Sequence, residues 1–310
     1  MTTLHPFDTA PIAAAPRRPW LAALMSFVLP GFGQLYNGEP HRALWLFLGF
    51  ALLCVPGVAL VALHLPDALT VPALALGLLA TLGLWLYAVV DAWRVAARCG
   101  ADYRPQPWQL SGVYLLVLLL GDALALPQLT QQVRAHQVEA FRIPSASMAP
   151  TLLPGDFVFA DKRYNCPGVG CKGRVQRGDV AIFVYPNDRT LYYVKRIVAL
   201  PGDRVTLQGG VLAVNDQPVP DRSAGQPPLP AGASVPPPAA DPPLPPAPTT
   251  LDLIVPPGQV FVLGDQRGAS VDSRRFGTVP LPDVVGRVRQ VWFSWAQGGV
   301  RWGRLGRVIE

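Results

Sequence analysis

Three lysines stand among the 26 basic residues of this chain: Lys162, Lys172 and Lys195. Arginine keeps its proton in a protein, whereas a lysine in apolar surroundings can be driven towards the neutral amine, which is a general base. Lys162 and Lys172 read as ordinary surface lysines. Lys195 differs, because it lies inside the apolar run LYYVKRIVAL at 191–200. If that run is a strand, alternation puts Lys195 on one face with Tyr193 and Ile197 and turns Arg196 to the other. The nucleophile for such a base is sought among serines, since no histidine follows His136 and no thiol has catalytic surroundings. The segment FRIPSASMAPTL at 141–152 offers one. There Pro144 and Pro150 fence a stretch of small residues and hold it extended, leaving Ser145 and Ser147 accessible. Ser147 with Lys195 would perform acyl transfer, a lysine variant of the serine triad. On these features alone, a snorkelling surface lysine and a loop serine explain the two residues at least as well.

Both segments lie in a half of the chain made of short alternating apolar runs punctuated by Gly-Asp and Pro-Gly. Runs at 156–161, 179–185, 191–200, 204–207, 211–214, 259–263 and 286–295 read as strands. Many short strands with turn signals and no strong helical period predict a mostly β domain over 139–310. Residues 218–248 include PPLPAGASVPPPAADPPLPPAP, a proline-rich tract too poor in apolar bulk to pack. It is expected to be an exposed insertion. Cys166 and Cys171 flank a short loop containing Pro and Gly. On the outside of a membrane a disulfide between them is favoured over a zinc site, which would lack histidine ligands.

The first half has a different texture. Mean hydropathy is +0.28 and only 15% of residues are charged, too apolar for a purely soluble enzyme. The runs 43–64 and 69–90 have spanning length, about 20 residues each. A third, 110–127, is shorter and contains Asp122; with a polar segment after it, it reads as the span that delivers the next domain. The stretch 20–35 breaks at Pro30-Gly31 and is open to three readings, as a span, as an interfacial segment or as a re-entrant one. Within it, PGFGQLYNG at 30–38 resembles a short motif of small two-helix bacterial membrane domains. Trp20, Trp45, Trp85, Trp93 and Trp108 sit near the ends of these runs, as interfacial anchors do. Arg94, Arg98 and Arg104 lie between the second and third runs, which marks 94–109 as cytoplasmic and everything after about 130 as extracytoplasmic. The expected organisation is a polar tail at 1–19, a membrane region at 20–127, a linker at 128–138 and the β-rich domain at 139–310. Apolar spans continuing downstream argue against a cleavable signal peptide at the start. The net charge of +6 is spread without a patch, which argues against a nucleic-acid partner.

Four blocks in one order resemble those of bacterial type I signal peptidases: 144–156 (PSASMAPTLLPGD), 177–186 (RGDVAIFVYP), 193–205 (YVKRIVALPGDRV) and 264–277 (GDQRGASVDSRRFG). The resemblance covers essentially all of 139–310 apart from the proline-rich tract. It implies an α-helical membrane region followed by a mostly β extracytoplasmic catalytic domain of signal-peptidase type. By position it makes Ser147 the nucleophile and Lys195 the base. Ser145 matches an oxyanion donor, Ser270 a serine that orients the lysine amine, and Asp272 with Arg274 a bracing ion pair; Asp265 and Arg267 belong to the same block. The family commonly reads Gly-Asp-Asn-Arg-Asp-Asn-Ser in the last block, whereas this chain has Gln266, Gly268 and Ala269. It also has more spans than the one or two usual in the family.

What the resemblance implies is a membrane-bound serine endopeptidase that removes N-terminal signal peptides from exported preproteins and needs no cofactor or metal. It would sit in the bacterial inner membrane with several spans and its catalytic domain on the periplasmic side. Its partners would be preproteins and the lipid bilayer, with the export translocon as a candidate. Three other readings compete: a specialised Ser/Lys processing peptidase of the conjugation or self-cleavage type, a non-catalytic membrane-tethered binding module, and a small transporter. The presence of the whole set of four blocks weighs against the first of these, Ser147, Lys195 and Ser270 together against the second, and the scarcity of charge in the spans against the third.

Overall fold

The computed structural model describes residues 16–65, 67–164, 175–222, 248–296 and 298–309. Most of the N-terminal tail, the Cys166 and Cys171 pair with Lys172, and 223–247 of the proline-rich tract lie outside the described residues. The chain forms two compact units, Met1–Val61 with Pro72–Val133 and Ala62–Val71 with Arg134–Glu310.

The first unit is helical. Pro40–His64, Leu69–Arg98 and Ser111–His136 are long and apolar enough to cross a membrane. Two of them run past the apolar stretches that signal them. Ala92, Arg94, Ala96, Ala97 and Arg98 are strong helix formers, so the helix continues where a loop from 94 was expected. For the same reason the expected linker at 128–138 is helical as far as His136, through Gln131, Gln132 and Arg134. Wide π-turns at Leu53–Gly57 and Leu119–Ala125 accompany Pro56 and Pro127, each of which lacks the N–H that a regular turn would use.

The stretch read as spanning, interfacial or re-entrant is a helix of ten residues, Pro19–Val28, followed by a short one at Phe32–Tyr36. Ten residues rise about 15 Å, half of a hydrocarbon core of about 30 Å. The break falls where Pro30 meets Gly31, whose φ of +94° suits glycine. A Cβ at Gly31 would also lie 2.2 Å from the Ala43 carbonyl oxygen. The motif that follows is a set of polar stitches. Gln34 Nε2 donates to the Ala88 carbonyl at 2.8 Å and to Asp91 at 3.0 Å, and Asn37 Nδ2 donates to the Ala92 carbonyl at 2.8 Å.

The second unit is built from two antiparallel sheets. Its strands are β1 (Val138–Arg142), β2 (Asp156–Asp161), β3 (Val180–Val184), β4 (Tyr192–Ala199), β5 (Arg204–Gln208), β6 (Val211–Val214), β7 (Gln217–Pro218), β8 (Leu251–Ile254), β9 (Gln259–Leu263), β10 (Val279–Pro280), β11 (Val284–Ala296) and β12 (Gly299–Val300). The large sheet runs β1-β2-β11-β3-β4-β9-β10 with β12 on β11, and the small one β7-β6-β5-β8. Thus the chain combines apolar N-terminal helices with a β domain, the architecture the resemblance implies. Register shifts between Val288 and Gln290 and between Val291 and Phe293 let the 13-residue β11 bend the large sheet. Ile143, Met148, Leu152, Val158, Ile182 and Val291 share one core cluster, which ties the stretch after β1 to β2, β3 and β11.

Candidate active site

Ser147 lies on the stretch between β1 and β2. Two main-chain bonds close the base of that stretch, Ile143 N to the Asp156 carbonyl at 2.8 Å and Gly155 N to the Ile143 carbonyl at 2.8 Å. Met148 and Leu152 sink into the core on its inner side, so the serine is held by its neighbours' burial. Below it, Asp156 is fully buried and accepts from Arg304 Nε at 2.9 Å and from Ser294 Oγ at 2.7 Å. Arg304 also reaches the Thr151 carbonyl at 2.9 Å, which pins the turn that follows the serine.

Lys195 comes from the middle of β4, where it faces Ala181 of β3. Its Nζ donates to Ser147 Oγ at 2.8 Å, with only 4% of the lysine and 8% of the serine exposed. The Tyr193 ring, on the same strand two residues away, lies 5.4 Å from the amine. Burial pulls the Lys195 pKa from 10.5 down to about 8, against the opposing pull of Asp272 and Asp265, which favour the ammonium form. A buried amine this easily neutralised, in contact with a hydroxyl, can accept that hydroxyl's proton near neutral pH.

The remaining residues of interest surround this pair. Ser145 Oγ is 3.2 Å from Ser147 Oγ. Ser270 is buried beside the site, yet its Oγ has no hydrogen-bond partner among the described residues, so the bond from Ser270 to the lysine amine that the resemblance implies is not formed here. Ser270 packs on Gly264, where a Cβ would come within 2.2 Å of its Oγ and 2.6 Å of the Ser147 carbonyl oxygen. Only glycine fits there. Gln266 N donates to that same carbonyl at 3.1 Å, so the 264–277 segment touches the main chain of Ser147 directly. Asp272, fully buried, binds Arg274 Nε at 2.8 Å and accepts from Gly264 N at 3.0 Å. Arg274 also donates to the Arg267 carbonyl at 2.7 Å.

One pair escaped sequence reasoning. Arg196 and Asp265 form a buried ion pair at 2.8 Å, with side chains 6% and 3% exposed, and the Thr151 hydroxyl donates to the same carboxylate. The available signal was an arginine next to Lys195 inside an apolar strand, which needs a buried anion. Next to Ser147 opens a cleft of about 280 Å³ whose walls include Phe141, Ile143, Tyr192, Val194, Ala269 and Val271. It is mostly apolar.

Residues 117–295 match the family described as "Signal peptidase, peptidase S26". The chain is 30% identical over 277 residues to signal peptidase I of Pseudomonas fluorescens, a match spanning 76% of this chain and 94% of the relative. With signal peptidase I of Rickettsia typhi it shares 31% identity over 200 residues, 52% of this chain and 74% of the relative. A crystal structure of a signal peptidase I from Enterococcus faecalis is 29% identical, with a TM-score of 0.28 over 37% of this chain and 97% of that one.

Proposed function

The chain belongs to the peptidase S26 signal peptidase family, and on that premise we propose that Ser147 is its nucleophile, Lys195 its general base, and N-terminal signal peptides of exported preproteins its substrates. The observation that carries the dyad is the 2.8 Å contact between a buried lysine amine and the Ser147 hydroxyl. Neutral Lys195 takes the Ser147 proton as Oγ attacks the scissile carbonyl. The oxyanion that forms is held by the Ser145 hydroxyl and the Ser147 main-chain N–H, a contribution of about 3 kcal/mol per donor. Lys195, now an ammonium, gives its proton to the leaving amine. It then serves as base again while water attacks the acyl-enzyme. Ser270 orients the amine once substrate tightens the site, and Asp272 with Arg274 braces the segment that carries Ser270.

The three apolar helices anchor the enzyme in the bacterial inner membrane, with 139–310 on the periplasmic side near the export translocon, and 1–19 and the arginine-bearing segment before Ser111 in the cytoplasm. Residues 218–248 interrupt the β domain between the lysine block and the Ser270 block without supplying a proposed catalytic group. The decisive experiment is incubation of the purified protein with a preprotein carrying an A-x-A site, followed by N-terminal sequencing of the product. One cut directly after the second alanine is expected, and an intact preprotein or scattered cuts would refute the assignment. Orientation is read separately by treating intact cells with an impermeant thiol reagent. Cys99 should stay unlabelled until the cells are permeabilised, and its labelling beforehand would invert the topology.

The proposed base also sets a pH dependence. Only neutral Lys195 can accept the serine proton, so kcat/KM should rise as pH climbs through about 8 and level off above it. A profile already flat between pH 6 and 9 would show that Lys195 does not titrate as the base.

A further inference from the structure

Arg196 turns away from the dyad towards a second cavity, of about 160 Å³, whose walls include Arg177, Arg196, Arg222, Arg267 and Asp265. Two of the four guanidinium groups are neutralised, Arg196 by Asp265 at 2.8 Å and Arg177 by Asp203 at 2.9 Å. Arg267 is not. It is half-buried, and its one side-chain hydrogen bond among the described residues goes to the Pro220 carbonyl at 3.2 Å, which carries no charge. Burial pushes its pKa below the ordinary arginine range, opposed by Asp272 and reinforced by Arg274, with weaker attraction from Asp221 and Asp265. The next residue is Gly268, which offers it no carboxylate. Arg222 has no ion pair with a described residue. Even with Asp203 and Asp221 at the margins, positive charge prevails in this cavity, and a partly desolvated cation there is stabilised by an anion that completes its hydrogen bonds.

We propose that this cavity beside β4 is a binding site for a tetrahedral oxyanion of the phosphate class, held by Arg222 and Arg267 in a wall that also includes Arg177 and Arg196. Forked guanidinium donors match the several acceptor oxygens of such an ion. The site bears on the dyad, a consequence that rests on Lys195 being the base. The charged groups around Lys195 are Asp265, paired with Arg196, and Asp272, paired with Arg274, and both carboxylates already favour the ammonium form. Asp265 is a wall of the cavity, so an anion bound there adds to that field and holds the lysine protonated to higher pH.

The test uses sulfate, whose charge is constant over the working range, and the full chain in zwitterionic detergent at ionic strength fixed with NaCl. Calorimetric titration of the Ser147→Ala protein should show saturable binding, weakened at least about tenfold by Arg222→Ala and by Arg267→Met, as expected for loss of a charge-assisted contact. With active enzyme, saturating sulfate should raise the apparent pKa of the kcat/KM profile by about 0.5, slowing cleavage at pH 7 and leaving the high-pH plateau unchanged. A parallel arm replaces sulfate with phosphatidylglycerol vesicles against phosphatidylcholine ones. An Arg222-dependent shift there assigns the site to a lipid phosphate, and a shift with dissolved sulfate alone assigns it to a free anion. Absence of saturable binding and of any shift in both arms, or affinity unchanged in both arginine variants, overturns the proposal. Binding that persists while the pH profile stays still upholds the site and counts against Lys195 as the titrating base.

Discussion

Lys195→Arg should lower kcat/KM by about 10⁴-fold or more, matching Ser147→Ala, although the positive charge is kept. A guanidinium has no accessible neutral form, so it cannot take the serine proton whatever the pH. The variant should therefore show no recovery of activity between pH 7 and 10, where the parent is expected to rise and level off. Because arginine is also bulkier than the buried lysine it replaces, Lys195→Met serves as a partner experiment. The folded-state pKa of about 8 lies below the ordinary 10.5, so the unfolded chain binds more protons between those values and stability rises with pH across that window. Below about 8 both states carry the charge, and the full cost of burying it, about 3 kcal/mol, is present. Lys195→Met removes that cost. It should be inactive yet unfold at higher temperature than the parent at pH 7, with the advantage shrinking towards pH 10. Near-normal turnover by folded Lys195→Arg protein, or a Met variant less stable at pH 7 than at pH 10 relative to the parent, would contradict the proposed base.

What could be read from the sequence was local. Lys195 stands out because one lysine sits in an apolar run of an arginine-rich chain, and Ser147 because two prolines fence its segment. The strand limits at 156–161, 211–214 and 259–263 coincide with β2, β6 and β9, since period-two alternation and turn residues are short-range signals. β8 was missed. Its four residues emerge from the proline-rich tract, and so short a run cannot be told from loop until β5 pairs with it. The helical continuations to Arg98 and His136 were missed because hydropathy marks the apolar stretch while backbone propensity carries the helix further. Contacts that depend on register lay out of reach altogether. Asp265 meets Arg196 across 69 positions and Arg304 meets Asp156 across 148, and no local pattern encodes either pairing.

Asp265→Ala should therefore do more damage than its absence from the proposed dyad suggests. Removing one partner of a buried ion pair leaves the other uncompensated, a loss of roughly 3–5 kcal/mol. Here Arg196 would be stranded at 6% side-chain exposure, and the Thr151 hydroxyl would lose its acceptor. Thr151 lies four residues after Ser147 on the same stretch, so the damage reaches Ser147, the proposed nucleophile, through its supports. A lower unfolding temperature in detergent is the first expected result. The second concerns the proton on Lys195. Asp265 favours the ammonium form, so without it the lysine pKa falls further, and the rise of kcat/KM should move to lower pH in whatever fraction remains folded. Pairing Asp265→Leu with Arg196→Met separates these effects. The double variant has no stranded charge and should recover most of the stability, since apolar replacement of a buried pair is often neutral or favourable. It still lacks the carboxylate, so the shifted pH profile should persist. Full stability in Asp265→Ala would mean that Arg196 finds other compensation, and a pH profile unmoved in both variants would mean that Asp265 does not act on Lys195.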